Sequence, residues 1–421
     1  MASLDHIRAL SEVIGPRGSA TPEEAKAADY VAEQLASLGL SPERQTFLSA
    51  TSAYRPYALA AALALLSLFL FWQPQPVGAA AAALITAVAL ASLLLEMQFR
   101  PNLLRWLLPV EPSQNVRAIA PCQNPLPQAA SDEDAPMGAV APTGACLITV
   151  VITAHLDTHR TPLLFRSPLW LTVFRWLMPA GLGGMVAMLG LFVIGIFSPA
   201  PALRLLALAP GLALIAVFAL MVQADLTPYT KGANDNASGV AAALWLAEQL
   251  THAPLQRTQV HLVFTGCEEV GCYGADACFS ANRAALRNAV HIVLDQVAAA
   301  GAQPVVVRAE RFLMPAHSDP GLLALADKLI EAHPEWGARA VCLSAGYGEL
   351  SVGVKHGLRA IAFGAIAPDG SSPRWHQPSD TIETIDEATL ARVQEMVWAF
   401  LREIDRQNAS GNPVNAGSAT A

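Results

Sequence analysis

The sequence predicts an α/β protein, a β-sheet covered by helices, with about four transmembrane helices inserted as two hairpins. Three observations predict it. Apolar, β-branched runs alternate with helical stretches through the hydrophilic part of the chain. Two pairs of long uncharged runs interrupt that alternation. Acidic and imidazole groups recur in order beside the strand-like runs: His155, Asp157, Asp235, Glu268, Glu269, Asp295 and His376.

The opening segment MASLDHIRALSEVIGPRGSA scatters charge and lacks an apolar run, so it does not read as a signal peptide. Thr21–Leu38 reads as an amphipathic helix, with Thr21 as N-cap, Pro22 in the first turn and Gly39 closing it. No charged residue occurs from Pro56 to Leu95, and QPQPVG divides this stretch into Tyr57–Trp72 and Val77–Leu95. Each part is near the roughly 20 residues that cross a hydrocarbon core, the first a little short. The second pair is Trp176–Phe197 and Leu205–Ala224, joined by SPAPALR. Gly181, Gly183 and Gly184 suit a membrane helix better than a soluble one, and Trp72, Trp106, Trp170 and Trp176 stand near the span ends.

Asn115–Ala120, Leu147–Ala154, Val260–Phe264, His291–Leu294, Gln303–Arg308 and Arg359–Phe363 read as strands. Ala237–Leu250, Pro320–His333 and Asp386–Ile404 read as helices between or after them. Pro121–Gly144 reads as a mobile loop and the Gly/Asn/Ser-rich tail from Asn408 as disordered.

Composition narrows the class. Only 14% of the 421 residues are charged and 53% are hydrophobic, which excludes disorder and points to a membrane. A net charge of −8 without a basic stripe argues against nucleic acid. Cys122, Cys146, Cys267, Cys272, Cys278 and Cys342 match no zinc-finger spacing and are expected as free thiols in a reducing compartment, with an occasional disulfide as the alternative. Arg55, Arg100, Arg105, Arg166, Arg175 and Lys231 flank the side from which both hairpins leave, whereas the turns carry only Arg204. The positive-inside rule puts the hairpin bases in the cytoplasm, so all hydrophilic segments share that face. The expected location is a multi-pass protein of a bacterial inner membrane.

The chemistry resides in five motifs. ITVVITAHLDTH sets His155 and Asp157 two apart past a buried strand, where the acid can hold the ring while the ring ligates a metal. KGANDNASGV puts Asp235 near a helix N-terminus, a place from which a carboxylate can bridge two cations. In VFTGCEEVG two adjacent acids end a strand; they repel unless a cation is near or one is protonated. That pair divides naturally into a metal ligand and a general base. HIVLDQVA supplies Asp295, and HQPSDTIETID supplies His376 with Asp380 as its partner or a turn residue.

In order and context these motifs resemble the M28 family of zinc metallopeptidases, from about Gly15 to Ile404, with GSATPEEAKAADYVAEQLASLGL similar to that family's first helix. The resemblance implies a mixed, eight-stranded sheet flanked by helices, the fold of zinc aminopeptidases and of phosphorylase/hydrolase-like proteins. It implies two zinc ions about 3.5–4 Å apart, with manganese or cobalt open as alternatives. His155, Asp235 and Asp295 would bind one ion; Asp235, Glu269 and His376 would bind the other. Glu268 would be the general base and Asp157 would orient His155.

On this reading residues 1–55, 101–165 and 227–407 form the peptidase domain, the last with most of the metal site. Residues 56–100 and 166–226 form the hairpins, and 408–421 the tail. The sequence departs from the family in both insertions, Tyr54–Met97 and the loop between Asp157 and Asp235. It also carries Glu349 where relatives often have Ser-Asp; Glu349 reads as a solvated loop carboxylate, with Tyr347 and Glu349 as possible substrate contacts.

The expected activity is aminopeptidase-like hydrolysis of a peptide substrate at the bilayer. Carboxypeptidase or amidohydrolase action, a glutaminyl cyclase-like transfer and a non-catalytic membrane scaffold are the alternatives. His159, His261, His291 and His317 read as structural or exposed, His159 being nearest the site mouth. The second hairpin leaves from between two ligand motifs, so the site should lie at the hairpin bases.

Overall fold

The computed structural model describes residues 2–73, 76–123, 148–311, 315–343 and 346–410. The chain begins with α1 (Ser3–Arg8), α2 (Pro22–Ser37) and β1 (Glu43–Ala50), then enters the first hairpin, α3 (Arg55–Phe71) and α4 (Pro76–Glu96). After α5 (Leu103–Leu107), β2 (Val110–Ile119) and β3 (Ile148–His155) comes the second hairpin, α6 (Pro168–Phe197) and α7 (Pro201–Asp225). Next are α8 (Gly239–His252), β4 (Thr258–Thr265), α9 (Tyr273–Ala281), β5 (Val290–Leu294), β6 (Gln303–Arg311) and β7 (Pro315–His317). The chain ends with α10 (Pro320–Ala332), β8 (Arg339–Leu343), α11 (Glu349–Lys355), β9 (Arg359–Ile366) and α12 (Glu387–Ala409).

The strands form one mixed sheet in the order β1-β2-β4-β3-β5-β9-β6-β7, with β8 paired to β6. Nine strands are described where the resemblance implies eight. β4, β3, β5 and β9 are mutually parallel and central. Their side chains are buried on both faces, as a parallel sheet with helices on each side requires. Ile152 packs with Val31 of α2, Leu246 of α8 and Phe400 of α12 on one face. Its neighbour Val151 points the other way, to Phe279 of α9 and Val352 of α11. Thr21 caps α2 by accepting from the Glu24 backbone N–H at 3.4 Å.

The hairpins form a four-helix bundle in which α3 and α6 each lie against both α4 and α7. Small residues make the contacts: Ala60, Ala64, Ala82, Gly184 and Ala207 are buried between helices. A Cβ on Gly195 would come within 2.4 Å of the Phe71 ring, so α6 meets α3 at that glycine. Only 33%, 28% and 28% of the most apolar windows of α4, α6 and α7 are buried. The outward faces are therefore apolar, the inverse of a soluble bundle.

Two expectations are corrected here. Among the described residues three helices, not four, are long and apolar enough to cross a membrane, since α3 has 17 residues and spans about 26 Å against a core of about 30 Å. The second of these, α6, also starts at Pro168, ahead of the expected Trp176, because nothing breaks the helix between them.

The hairpin bases are tied to the sheet. Arg55 and Arg160 both reach Asp225, at 2.9 and 3.8 Å. The segment leaving β3 pairs with the one returning from α7, through Thr161 N to Pro228 O and Thr230 N to His159 O. Buried Arg17 donates to the carbonyls of Leu156, Lys231 and Gly232 and so clamps both ends of the insertion. Cys267, Cys272, Cys278 and Cys342 are free, but Cys122 is disulfide-bonded, contrary to the expectation for it. Residues 124–144 of the expected loop, Cys146, the first residue of the expected strand at 147, and 411–421 of the tail lie outside the described residues; 408 and 409 belong to α12.

Candidate metal centre

Parallel strands bring their C-terminal ends to one edge, and ligands gather there in open α/β sheets. β3 ends on His155, β4 leads to Glu268 and Glu269, β5 to Asp295, and β9 to the loop carrying His376. Asp235 arrives from the turn before α8, whose backbone at Asp235 (φ −112°, ψ 87°) is not helical. That turn is pinned from three sides. The Asp380 carboxylate accepts the N–H groups of Asn234 and Asp235 at 2.8 and 3.0 Å. Asn236 donates to Leu294 O at 2.9 Å, and the Ser238 hydroxyl accepts from Val297 N at 3.0 Å. Asp380 thus supports the Asp235 backbone rather than His376.

Asp235 divides its two oxygens between two histidines. Oδ1 lies 3.3 Å from His155 Nε2, and Oδ2 lies 3.4 Å from His376 Nε2. His155 Nε2 is also 3.5 Å from Asp295 Oδ1, and His376 Nε2 is 3.3 Å from Glu269 Oε2. Atoms tetrahedrally placed about 2.0–2.1 Å from a zinc ion stand about 3.3–3.4 Å from one another. The donor set therefore has the spacing of two cation sites that share Asp235.

The hydrogen bonding agrees. His155 Nδ1 donates to the Asp157 carbonyl at 3.2 Å, which leaves the Nε2 lone pair facing two carboxylates. Asp235 Oδ2, Glu269 Oε1 and Asp295 Oδ1 are buried without a hydrogen-bond partner. Unpartnered buried acceptors of this kind are costly unless a cation lies between them. Burial, then Asp295, raises the Asp235 carboxyl to about 6, against the pull of His155. Burial, then Asp235 and Glu268, pushes Glu269 well above the usual carboxylate range. Burial holds His376 neutral.

Asp157 sits otherwise than expected. Its carboxylate is 3.5 Å from His155 Nδ1, beyond a good hydrogen bond. It accepts instead from Ser19 Oγ at 2.6 Å and from the N–H groups of Glu268 and Glu269 at 3.0 and 3.1 Å. Asp157 touches the ring through its main chain and holds the Glu268–Glu269 loop through its side chain. Glu24 braces the same loop, accepting from Cys267 N at 2.8 Å, Ser113 Oγ at 2.7 Å and Ala20 N at 3.0 Å.

Two residues sit otherwise than the sequence suggests. His159 stacks on His376, ring centroids 3.4 Å apart, and receives Tyr54 OH at Nε2 at 3.0 Å. With Glu269 and His376 it offers a further set of ligand atoms within 4.8 Å of one another. Its position four residues after His155 was the available signal. Glu349 is 1% exposed, not solvated: α11 tucks it among the strand ends, with no donor in bonding geometry.

A cavity of about 190 Å³ opens over the centre. Asp235, Glu268, Glu269, Asp295 and Glu310 supply its acids, and Leu171, Phe174 and Arg175 of α6 and Tyr347 form part of its wall. An adjoining space of about 110 Å³ is lined by Tyr57 of α3, Met178 of α6 and Met221 of α7. The hairpins therefore build part of the cleft, and the centre lies at their bases as expected.

Residues 217–401 match the family profile described as "Peptidase family M28". The match covers less than half of the chain, and over these residues the chain is similar to that family. The M28 match takes in Asp235, Glu268, Glu269, Asp295 and His376, while His155 and Asp157 precede it and join the centre through the fold. No curated protein matches the chain. Among solved structures it is similar to a zinc aminopeptidase from Bacillus subtilis, with a TM-score of 0.54, 16% identity, and coverage of 95% of this chain and 94% of that one. A glutaminyl cyclase from Bacteroides thetaiotaomicron, solved with N-acetylhistamine, gives 0.53 at 14% identity, covering 95% and 96%. A leucine aminopeptidase precursor from the same organism gives 0.52 at 15% identity, covering 95% and 96%. At these identities the likeness establishes the fold, an aminopeptidase-like mixed sheet flanked by helices.

Proposed function

We propose that this protein is a membrane-anchored di-zinc hydrolase that removes N-terminal residues from peptides. The observation that carries the proposal is Asp235, shared between His155 and His376 at matching distances of 3.3 and 3.4 Å. His155, Asp235 and Asp295 would hold one zinc ion, and Asp235, Glu269 and His376 the other. Zinc in these places supplies an acidified water and polarises the scissile carbonyl.

Glu268 is the base. Its carboxyl lies in the cleft beside the ligands, with Cys272 Sγ donating to Oε1 at 3.2 Å. Burial, then Asp295 and Asp157, raises it well above the usual carboxylate range, against the pull of His155. A carboxyl raised in this way takes the proton of the attacking water and returns it to the leaving amine. Asp157 keeps Glu268 and Glu269 on their stations by holding both backbone N–H groups.

The charge of the cleft supports reading an amino rather than a carboxyl terminus. Among the described residues five carboxylates line it against one cation, the exposed Arg175; zinc would take up three of them, Asp235, Glu269 and Asp295, leaving Glu268 and Glu310 open to a substrate. That balance disfavours the carboxypeptidase reading. A glutaminyl cyclase-like reaction with one ion would leave His155 and Asp295 without a task, and a scaffold would have no use for the paired donors.

The test is Glu268→Gln. The variant should keep the zinc content of the parent while hydrolysis of aminoacyl fluorogenic amides falls about 100-fold or more. Unimpaired turnover would exclude Glu268 as the base. A parent that binds two zinc ions and cleaves no peptide or amide would exclude the hydrolase.

A further inference from the structure

Among the described residues Glu310 is the one carboxylate of the cleft that neither the metal ligands nor the base accounts for. It sits at the end of β6 and is 4% exposed. Its two oxygens differ. Oε2 accepts from Gly348 N at 3.0 Å, Ser351 N at 3.2 Å and the Ser351 hydroxyl, which anchors the side chain to the start of α11. Oε1 has no donor among the described residues and faces the cavity. The gap exists because residue 348 is glycine: a Cβ there would stand 3.1 Å from Glu310 Oε1 and 3.7 Å from Glu268 Oε1. The two carboxylates thus flank one small space beside the catalytic base.

A buried carboxylate with one oxygen saturated and the other open calls for a cationic hydrogen-bond donor. In an N-terminal residue the α-nitrogen stands about 2.5 Å from the scissile carbonyl carbon. A carbonyl placed for attack by the water that Glu268 activates therefore brings its ammonium next to this gap. We propose that Glu310 binds the substrate's N-terminal ammonium over Gly348 and so makes the enzyme an aminopeptidase. The inference rests on the hydrolase reading above, and its test reads binding separately from turnover.

The zinc-loaded, full-length protein in detergent micelles is titrated by calorimetry with L-leucinamide and with N-acetyl-L-leucinamide. The parent should bind the free amine more tightly. Glu310→Gln should weaken leucinamide about tenfold or more and leave the acetylated ligand and the zinc content unchanged. Gln can still accept the bonds from Gly348 and Ser351, which protects the fold. Gly348→Ala is the second variant: its backbone is extended (φ −142°, ψ −162°) and open to alanine. It fills the gap without altering the charge and should weaken leucinamide likewise. Leucinamide binding within twofold of the parent in both variants overturns the assignment, as does a parent that prefers the acetylated ligand. If the parent cleaves no aminoacyl amide while Glu310→Gln still weakens leucinamide, the ammonium site stands and the aminopeptidase reading falls.

Discussion

At the scale of single residues, the centre depends on carboxylates that never reach the cleft. Glu24 is buried and gathers donors from the turn before α2, from β2 and from the loop after β4. Removing it strands two buried donors, Ser113 Oγ and Cys267 N, and the half-buried Ala20 N, and a stranded buried polar group costs about 1–3 kcal/mol. Glu24→Ala should therefore lower stability by about 3 kcal/mol or more, whereas Glu24→Gln, which keeps an accepting oxygen, should cost much less. Thermal unfolding of the two variants checks the order, and equal losses would show that Glu24 does not brace the loop. The sequence made the ligand types and the metal motifs readable because His155, Glu268, Glu269 and Asp295 each stand at or just past the end of an apolar strand and Asp235 stands just ahead of an apolar helix. Glu24, Ser19 and Glu310 were not readable, since their partners lie far away in the chain and nothing local marks them. Glu24 did leave one trace, the Thr21-x-x-Glu24 spacing of a capping box, although its carboxylate reaches Ala20 N rather than Thr21 N. Glu349 misled because SAGYGEL looks like a polar loop until α11 buries it.

At the scale of elements, legibility followed burial. β3, β4, β5 and β9 are apolar on both faces and stood out. β1, with its exposed and half-buried ERQTF stretch, pairs on one side only and did not. The start of α6 was misplaced because Arg175 looked like a membrane boundary, while the helix in fact runs on from Pro168 to wall the cleft. The packing of α11 on the central strands carries a pH dependence. His291 of β5 is fully buried, bonds Thr153 Oγ1 at 2.9 Å, and meets α11 where Gly353 leaves room for its ring. Burial lowers its pKa from 6.5 to about 3. As pH falls the unfolded chain takes up this proton first, so the contribution is complete above pH 6.5 and is lost on the way down to 3. The loss is about 1.4 kcal/mol per unit, or about 2 kcal/mol between pH 6.5 and 5. His291→Gln cannot ionise and keeps a partner for Thr153; its stability should fall less by that amount over the window. Parallel pH curves for parent and variant, followed by unfolding, would show that His291 is not held neutral.

At the scale of the whole molecule, a single catalytic sheet rests on an apolar bundle, and the two share one cleft. Both hairpins begin and end at that cleft, so every described hydrophilic segment beyond their turns lies at one end of the bundle and would share one side of a membrane that α4, α6 and α7 cross. Two features bear on which side. The disulfide of Cys122 favours an oxidising compartment. The charges at the bases, Arg55, Arg100, Arg105, Arg166 and Arg175, against Arg204 at the turns, favour the cytoplasm. Flanking charge acts while the hairpins insert, before any thiol can oxidise, and so we take it as the deciding term. The protein should accordingly sediment with membranes of a bacterial host and resist extraction by carbonate. A fluorescent protein that matures only in the cytoplasm, fused after Ala421, should be bright, and a phosphatase that folds only outside the cytoplasm, fused at the same place, should be inactive. Replacing Arg55, Arg100 and Arg105 by Gln should weaken that preference, because those side chains flank the first hairpin. An active external phosphatase on the parent would place the sheet, the centre and its peptide substrates on the outer face, and would make the Cys122 disulfide the better guide.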